Sequence, residues 1–250
     1  MKFAAKKRFT TSRDETYHLL RDSNLFSSLP NDEITNIAKD ISPPTSFEQG
    51  QIIYLENESA QYCYIICQGW VKLFHETSDG IEAIIDVYSS GQTFGESAIF
   101  YNNRYSHSAQ IVQDSKLLII PLSILAEHLK NSSFAINMLS LMSRQTKRKD
   151  LELAHLSVQT AAQRIGCFLL RLCPKDKQTN ITLQLPYDKA LLASRLGMKT
   201  ETFSRALNTL RKETGISITG PRVTINSTAK LVNFTCCACS LIYPCQASST

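Results

Sequence analysis

The strongest constraint on the fold is a pair of helical patterns on either side of one glycine. The segment YDKALLASRLG carries a helix-capping aspartate at Asp188 and ends at Gly197, and ETFSRALNTLRKE continues in helical periodicity beyond the turn. The pattern ISITGPRVTI, with Gly220 and Pro221 at its centre, then predicts two short strands. Two helices joined by a tight turn and followed by a hairpin are the layout of a winged helix-turn-helix.

The second of these helices has an apolar face and a polar face. The apolar face, which would pack on the domain core, holds Phe203, Ala206, Leu207 and Leu210. The polar face, at spacings i, i+3, i+4 and i+7, holds Glu201, Ser204, Arg205 and Asn208. Arginine pairs with guanine, glutamate accepts from cytosine, and serine adapts to either base. The alternative is a solvated face with a Glu201–Arg205 ion pair; in a basic domain the pattern favours DNA reading.

The charge of the chain is divided unevenly between its two halves. The net charge is +5, yet residues 24–130 carry 5 basic and 13 acidic side chains, whereas residues 158–250 carry 12 basic and 4 acidic ones. This asymmetry predicts that the back half meets a polyanion, with uneven surface solvation as the alternative. No segment has the apolar length of a signal or a membrane span, so we expect a soluble, cytoplasmic protein without a membrane partner.

The front half has the pattern of a small β-structure followed by a helix. Between residues 46 and 120, short alternating apolar runs are separated by turn signals, which is typical of a small β-barrel or jelly roll. Residues 123–154 contain no glycine or proline, which predicts one long helix. Its apolar stripe forms either a dimer seam or a surface that packs on its own barrel, and consists of Phe134, Met138, Leu141 and Met142.

The segment LLASRLGMKTETFSRALNTLRKE resembles the helix-turn-helix signature of the Crp/Fnr superfamily of bacterial transcription regulators. The resemblance covers residues 25–230, and the Glu-x-x-Ser-Arg of Glu201, Ser204 and Arg205 is more similar to the Fnr and Dnr branches than to the Crp branch. It implies an α+β fold, with an N-terminal cyclic-nucleotide-binding-like β-roll, a long dimerisation helix and a C-terminal winged helix-turn-helix. It also implies a homodimer that reads a palindrome of TTGA-type half-sites and works with RNA polymerase.

On this resemblance the chain divides into five parts. These are an N-terminal arm at 1–24, an effector-sensing β-roll at 25–122, a dimerisation helix at 123–157, a DNA-binding domain at 158–230 and a cysteine-containing tail at 231–250. Glu201 and Arg205 would share a central G·C pair, and Ser204 would contact an outer thymine. Further residues are expected to contact the DNA backbone, which positions the protein without specifying sequence: Lys199, Thr202, Asn208, Lys212 and Arg222.

The segment FGESAIFYNNRYSHSAQ resembles part of the cyclic-nucleotide cassette, in which a glutamate holds the ribose and an Arg-Ser pair holds the phosphate. Aligned through Ser108, the position expected to be arginine is His107, and Arg104 lies three residues upstream. A buried phosphate needs a fixed cation or several donors, and histidine is largely neutral at pH 7. The sequence therefore favours a repurposed effector pocket, here called the sensor pocket, over a cyclic-nucleotide site. Its predicted residues are Gly95, Glu96, Ser97, Arg104, Ser106, His107 and Ser108.

The sequence does not identify the effector or the target genes, and it does not distinguish an activator from a repressor. Residues 1–62 contain no cysteine, so the N-terminal iron–sulfur cluster of Fnr is not expected. Similarity to the Dnr branch makes haem a candidate cofactor, with no spacing that selects one ligand among His18, His75, His107 and His128. An unstructured tail is favoured over a metal site for Cys236, Cys237, Cys239 and Cys245.

Two functions of other classes compete with the regulator. An enzyme in a jelly-roll barrel would need paired histidine and glutamate ligands on adjacent strands, and the sequence shows none, so no catalytic or metal-binding residue is predicted. The other alternative is a ligand-binding or protein-interaction module whose helix-turn-helix no longer reads DNA.

Overall fold

The computed structural model describes residues 12–174, 179–186 and 188–236, and the chain divides into two compact units. The first unit contains the chain up to Val71 and the segment Tyr88–Leu141. The second unit contains Lys72–Val87 and the chain from Met142 onward. One β-hairpin of the front half is therefore grouped with the DNA-binding half of the chain.

The first unit is an antiparallel sheet preceded by two helices. Strand β6 pairs on one side with β1 and β2, with Thr45 opposite Leu117 and Ile52 opposite Gln110. The short strand β5 pairs with β3. This arrangement agrees with the strands predicted for the front half. The elements up to Pro121, of which the end of β3 from Lys72 and β4 up to Val87 belong to the second unit, are α1 (Ser12–Asp22), α2 (Asn31–Asp40), β1 (Thr45–Phe47), β2 (Ile52–Tyr54), β3 (Tyr62–Glu76), β4 (Glu82–Ser89), β5 (Thr93–Phe94), a 3-10 turn (Glu96–Phe100) and β6 (Ser108–Pro121).

The single long helix predicted after the sheet is two helices, α3 (Leu122–His128) and α4 (Ser132–Val158). The interruption has a local cause at Asn131, whose side-chain oxygen accepts hydrogen bonds from the backbone N–H of Ser133 at 2.9 Å and of Phe134 at 3.4 Å. These bonds satisfy N–H groups that the first turn of a helix leaves without partners. The predicted helix over 123–157 is therefore corrected to a short helix, a cap and a 27-residue helix.

The first three residues of the apolar stripe of α4 are buried within the first unit, whereas Met142 belongs to the second unit and is half-buried. Phe134 and Met138 are fully buried, and the Phe134 ring centroid lies 5.8 Å from that of Phe26. Different positions of α4 remain exposed in the first unit, namely Ile136 and Leu139, each at 64%. Of the two alternatives left open for the stripe, the structure supports packing on the chain's own domain.

The second unit contains the predicted helix-turn-helix and wing. Asp188 caps α6 by accepting hydrogen bonds from the N–H groups of Ala190 and Leu191, as predicted, and the three-stranded sheet has the order β7-β9-β8. The described elements from α4 onward are α5 (Ala161–Leu172), β7 (Thr179–Gln184), α6 (Lys189–Arg195), α7 (Thr200–Thr214), β8 (Ser217–Thr219), β9 (Arg222–Ser227) and α8 (Thr228–Thr235).

The last helix extends the DNA-binding half beyond residue 230, where the sequence predicted its end. Leu231 of α8 is fully buried in the core of this unit. Helix α8 packs closely on α5 at Gly166, where an added Cβ would lie 2.2 Å from Thr235 Oγ1. Cys236 directly follows this helix, whereas Cys237, Cys239 and Cys245 of the predicted tail lie outside the described residues.

Candidate nucleic-acid interface and sensor pocket

Helix α7 is oriented by its apolar face. Phe203, Ala206 and Leu210 are 3%, 8% and 0% exposed and belong to the core of the second unit. The turn before the helix contains Gly197 in the left-handed region at φ 63°, a conformation that glycine adopts without steric cost. Because the apolar face is buried, the opposite face of α7 must be turned outward.

The outward face carries the residues predicted to read bases. Glu201 and Arg205 have side chains that are 74% and 79% exposed, and Arg205 Nη2 lies 2.5 Å from Glu201 Oε1. Asn208 is exposed and Ser204 half-buried. The ion pair considered as an alternative is thus present, but an exposed i,i+4 pair is typically worth only about 0.3–0.5 kcal/mol. Such a pair can hold both side chains extended and still exchange its contact for a base.

The predicted phosphate contacts are also exposed. Lys199 is the N-cap residue of α7, and Arg222 opens β9 directly after the turn of the wing. Arg211, which the sequence analysis did not name, is likewise exposed in the last turn of α7 beside Lys212. The remaining predicted backbone contacts, Thr202, Asn208 and Lys212, are exposed as well.

The sensor pocket begins at a glycine that the turn requires. Gly95 has φ 85° and precedes the 3-10 turn, and Glu96 is only 2% exposed. On β6, the buried Ser108 accepts a hydrogen bond from the N–H of Glu56 at 2.9 Å. Ser97 is half-buried in the 3-10 turn. The scaffold of the turn is therefore present, with its carboxylate inside the unit.

Aromatic rings fill the interior beside this carboxylate. Tyr54 and Tyr105 stack with ring centroids 3.5 Å apart, and Tyr64 stacks on Phe94 at 5.0 Å. Burial, and then the nearby charge of Glu96, raise the pKa of Tyr54 well above its ordinary value. Sequence reasoning missed this cluster because its members lie on separate strands and on the loop before β6. The space next to Glu96 is thus occupied by the chain's own side chains.

The two candidate cations of the pocket are placed differently. The Nε2 atom of His107 is 3.5 Å from the Tyr54 hydroxyl, and its Nδ1 atom is 3.0 Å from Ser106 Oγ. Arg104 is exposed on the loop and donates to the carbonyl oxygen of Asn57 at 2.6 Å. The structure therefore brings His107 and Ser106 to the aromatic cluster and leaves Arg104 on the surface.

The histidines proposed as haem ligands have no common arrangement in the described residues. His18 and His75 are exposed, and His128 Nδ1 lies 2.8 Å from the carbonyl oxygen of Ile124. Within residues 12–174, 179–186 and 188–236, no group of three or more His, Cys, Asp or Glu side chains could hold a metal ion. No helix in the same ranges is long and apolar enough to cross a membrane.

A buried ion network lies in the second unit and joins β4, α4, α5 and α6. Arg195, at the end of α6, donates from Nε to Asp86 at 2.8 Å and from Nη2 to Glu152 at 2.6 Å. Arg148 also pairs with Asp86, and Arg171 also pairs with Glu152. Because Arg195 ends α6 and directly precedes the turn to α7, these ion pairs join the turn end of α6 to β4 and α4. We call these five residues the ion network.

Electrostatics in the ion network favours ionised carboxylates. Burial alone would raise the pKa of Asp86, but the guanidinium groups of Arg195 and Arg148 more than compensate and hold that pKa below its ordinary value. Burial likewise opposes ionisation of Glu152, and Arg171 and Arg195 lower its pKa. Sequence reasoning missed the network because Asp86 and Arg195 are 109 residues apart.

Comparison with known families assigns both halves of the chain. Residues 44–132 match the cyclic nucleotide-binding domain family, and residues 163–234 match the Crp-like helix-turn-helix domain family. The first match spans the sensor pocket, and the second contains α7 and the wing.

The chain aligns with curated relatives along most of their length. The cyclic AMP receptor protein of Thermus thermophilus is 29% identical over 203 residues, which are 81% of this chain and 91% of the relative. The nitrogen fixation regulation protein FixK of Azorhizobium caulinodans is 27% identical over 187 residues, 73% of this chain and 74% of the relative.

Solved structures show the same relationship. A Ruegeria pomeroyi protein, provisionally described as a cyclic nucleotide binding protein, is 31% identical with a TM-score of 0.69, and the alignment covers 90% of this chain and 99% of that one. FixK2 of Bradyrhizobium japonicum, at 22% identity and a TM-score of 0.68, shares the fold over 78% of this chain and 97% of its own. The relatives with assigned roles are transcription regulators rather than enzymes. With a sensing domain followed by a DNA-binding helix-turn-helix, this chain belongs to the Crp/Fnr superfamily of transcription regulators.

Proposed function

We propose that this regulator reads each half of a TTGA-type palindrome through Glu201, Ser204 and Arg205. The observation that carries this proposal is the orientation of α7, whose apolar residues are buried while Glu201 and Arg205 are about three-quarters exposed. Arginine and glutamate on one face can contact the two bases of a G·C pair together. The exposed basic side chains of Lys199 and Arg222 flank this face and supply phosphate contacts.

The proposed DNA-binding species is a homodimer formed along α4. This helix exposes Ile136 and Leu139 at 64% each, and Leu153 at 66%. Exposed apolar side chains along one helix are a surface that a second copy can cover. A two-fold dimer presents two recognition helices, which matches the symmetry of a palindrome. The remaining partner is RNA polymerase, and the protein acts without catalysis in the cytoplasm.

Binding to matched duplexes tests this function. At about 150 mM salt, we expect a TTGA palindrome to bind about a thousandfold or more tighter than a scrambled duplex of equal length. A duplex with one half-site should bind more weakly than the palindrome, because it engages only one helix of the dimer. Fluorescence anisotropy with labelled duplexes measures all three affinities. Equal affinity for the palindrome and the scrambled duplex would contradict the proposal.

We further propose that the sensor pocket gates DNA binding with an effector other than cyclic AMP. The pocket is expected to comprise Gly95, Glu96, Ser97, Arg104, Ser106, His107 and Ser108. Support comes from the stacked rings of Tyr54 and Tyr105 and from the surface position of Arg104, which leave the cyclic phosphate without a fixed cation. A buried phosphate without such a partner is costly.

A calorimetric titration with cyclic AMP checks the pocket. We expect no saturable heat at concentrations up to about 1 mM, the range of a binding free energy of about −4 kcal/mol. The matched variant His107→Arg, which restores a permanent cation, should bind cyclic AMP more tightly than the wild type. A micromolar, one-to-one isotherm for the wild-type protein would show that cyclic AMP is bound despite the substitution.

A further inference from the structure

A cavity of about 370 Å³ lies in the second unit between α5, α6, α7 and the wing. We call it the wing cavity. On the wing side, Ile218 of β8 pairs with Val223 of β9, and the N–H of Leu185 donates to the Pro221 carbonyl oxygen at 2.8 Å. These backbone contacts fix one wall of the cavity. Its volume is within the range of small-molecule sites, which are typically about 300–1,000 Å³.

The floor of the wing cavity is apolar. Phe168 of α5, Leu192 of α6 and Phe203 of α7 line the cavity and are buried. Leu207 and Ile218 are half-buried on its walls. Two of the floor side chains are aromatic, and aromatic rings pack well against flat apolar groups. The floor therefore suits a ligand with a planar, apolar body.

The rim of the wing cavity carries positive charge. Lys189, the first residue of α6, and Arg211, in the last turn of α7, line the cavity and are exposed. Neither side chain forms an ion pair within residues 12–174, 179–186 and 188–236. No acidic side chain is among the described residues that line the cavity. An acidic group at the rim can therefore pair with two cations that no described carboxylate neutralises.

The wing cavity shares part of its rim with the outward face of α7. Ser204 and Asn208 line the cavity and also belong to the face proposed to meet DNA. A duplex on that face covers the opening of the cavity, and its phosphates compete for the same two cations. A ligand that binds only the DNA-free protein weakens DNA binding by mass action.

We propose that the wing cavity binds a small aromatic anion and that this anion competes with DNA. The ring of the ligand lies against Phe168 and Phe203, and its acidic group pairs with Lys189 and Arg211 at the rim. Aromatic carboxylates and sulfonates share this chemistry. The competition rests on the proposed function, whereas binding of the anion does not. The site is distinct from the sensor pocket, since all of its described residues belong to the second unit.

A fluorescence titration of the full chain with 8-anilinonaphthalene-1-sulfonate tests the charge of the site. The double variant Lys189→Gln/Arg211→Gln should bind the dye about tenfold or more weakly than the wild type, because charge-assisted contacts are lost. The matched control Lys199→Gln/Lys212→Gln removes two exposed cations that do not line the cavity, and should bind the dye as the wild type does. Equal loss of dye affinity in both double variants would contradict pairing at the rim.

A variant that fills the cavity locates the dye. Ile218→Trp places a larger ring in the cavity from a strand, where aromatic residues are favourable, and should bind one dye fewer per chain than the wild type. Thr219→Trp, at the exposed next position of β8, does not line the cavity and should bind as many dyes as the wild type. Wild-type dye binding in both Ile218→Trp and Lys189→Gln/Arg211→Gln would overturn the proposal.

Competition with DNA is measured by anisotropy of the labelled TTGA palindrome. With the dye at about ten times its dissociation constant, the apparent affinity for the palindrome should fall about tenfold for each dye that has to leave. The DNA affinity of Ile218→Trp should not respond to the dye. An unchanged wild-type DNA affinity at saturating dye would refute the competition. A protein that binds the dye as expected but not the palindrome would contradict the proposed function and not the anion site.

Displacement of the dye separates the charge of the ligand from its apolar body. The compounds 1-naphthoate and 1-naphthalenemethanol carry the same ring, but only the carboxylate is charged at pH 7. The carboxylate should displace the dye at a concentration about tenfold lower than the alcohol. Displacement by both compounds at the same concentration would refute recognition through charge.

Discussion

Replacing Arg205 by alanine is expected to remove most of the discrimination between the TTGA palindrome and a scrambled duplex. The loss of a bidentate base contact costs about 1–3 kcal/mol at one base pair. Since a homodimer places Arg205 on both half-sites, the expected total is about twice that, if the two sites act independently. Competition anisotropy with both duplexes measures the change. The variant should remain folded, because this side chain is 79% exposed.

The control for this prediction is Lys212→Ala. Lys212 is exposed at the end of α7 and is proposed to contact phosphate, so its loss should weaken binding to both duplexes by a similar factor. Wild-type discrimination in Arg205→Ala would favour the alternative function, a module whose helix-turn-helix no longer reads DNA.

Replacing Asp86 by alanine is expected to lower the free energy of unfolding by about 3–5 kcal/mol, because it leaves the buried guanidinium group of Arg195 without one of its partners. Asp86 is 4% exposed, and the Arg195 side chain is 7% exposed. The only tryptophan, Trp70, lies in the first unit, so urea unfolding should be followed by far-UV circular dichroism.

A matched control lies on the same strand. Glu82 forms an ion pair with Lys72, but its side chain is 40% exposed. Glu82→Ala should therefore change the free energy of unfolding by less than about 1 kcal/mol. If Asp86→Ala lowered the free energy of unfolding by as little as Glu82→Ala does, the ion network would contribute little to stability.

The ion network also makes the free energy of unfolding depend on pH. The pKa of Asp86 and the pKa of Glu152 are both lowered in the folded protein, so the unfolded chain binds more protons as the pH falls through the ordinary carboxyl values near about 4. The stabilisation is complete above those values and is lost as the pH drops toward the folded pKa values. Asp86→Ala should show a smaller loss of stability below about pH 5 than the wild type.

The aromatic content of the sensor pocket changes how the cyclic-nucleotide resemblance is understood. His107 alone indicated that the usual phosphate cation was missing. The structure adds that its ring is next to Tyr54 and that Tyr54 stacks on Tyr105. An effector that fits this pocket has to engage or displace aromatic side chains, which favours an apolar or planar molecule over a charged phosphate.

The helix-turn-helix could be predicted because its signals are local. The Asp188 cap acts on the next three residues, Gly197 sets one turn, and the two faces of α7 follow from the period of the helix. The two strands of the wing could be predicted for the same reason, because Gly220 and Pro221 mark the turn between them. Each of these features depends on residues only a few positions apart, so the sequence alone determined which face of α7 is turned outward.

What the tertiary structure decided depends on residues far apart in the chain. Phe134 belongs to the core of its own unit because it meets Phe26, and Asp86 is held as a buried anion because it meets Arg195. Neither partner can be identified from periodicity or composition, since any of several distant residues could fill the same role. The sequence by itself therefore determined the family and the outward face of α7 that we propose meets DNA. Only long-range packing decided the aromatic cluster of the sensor pocket and the ion network at the end of α6.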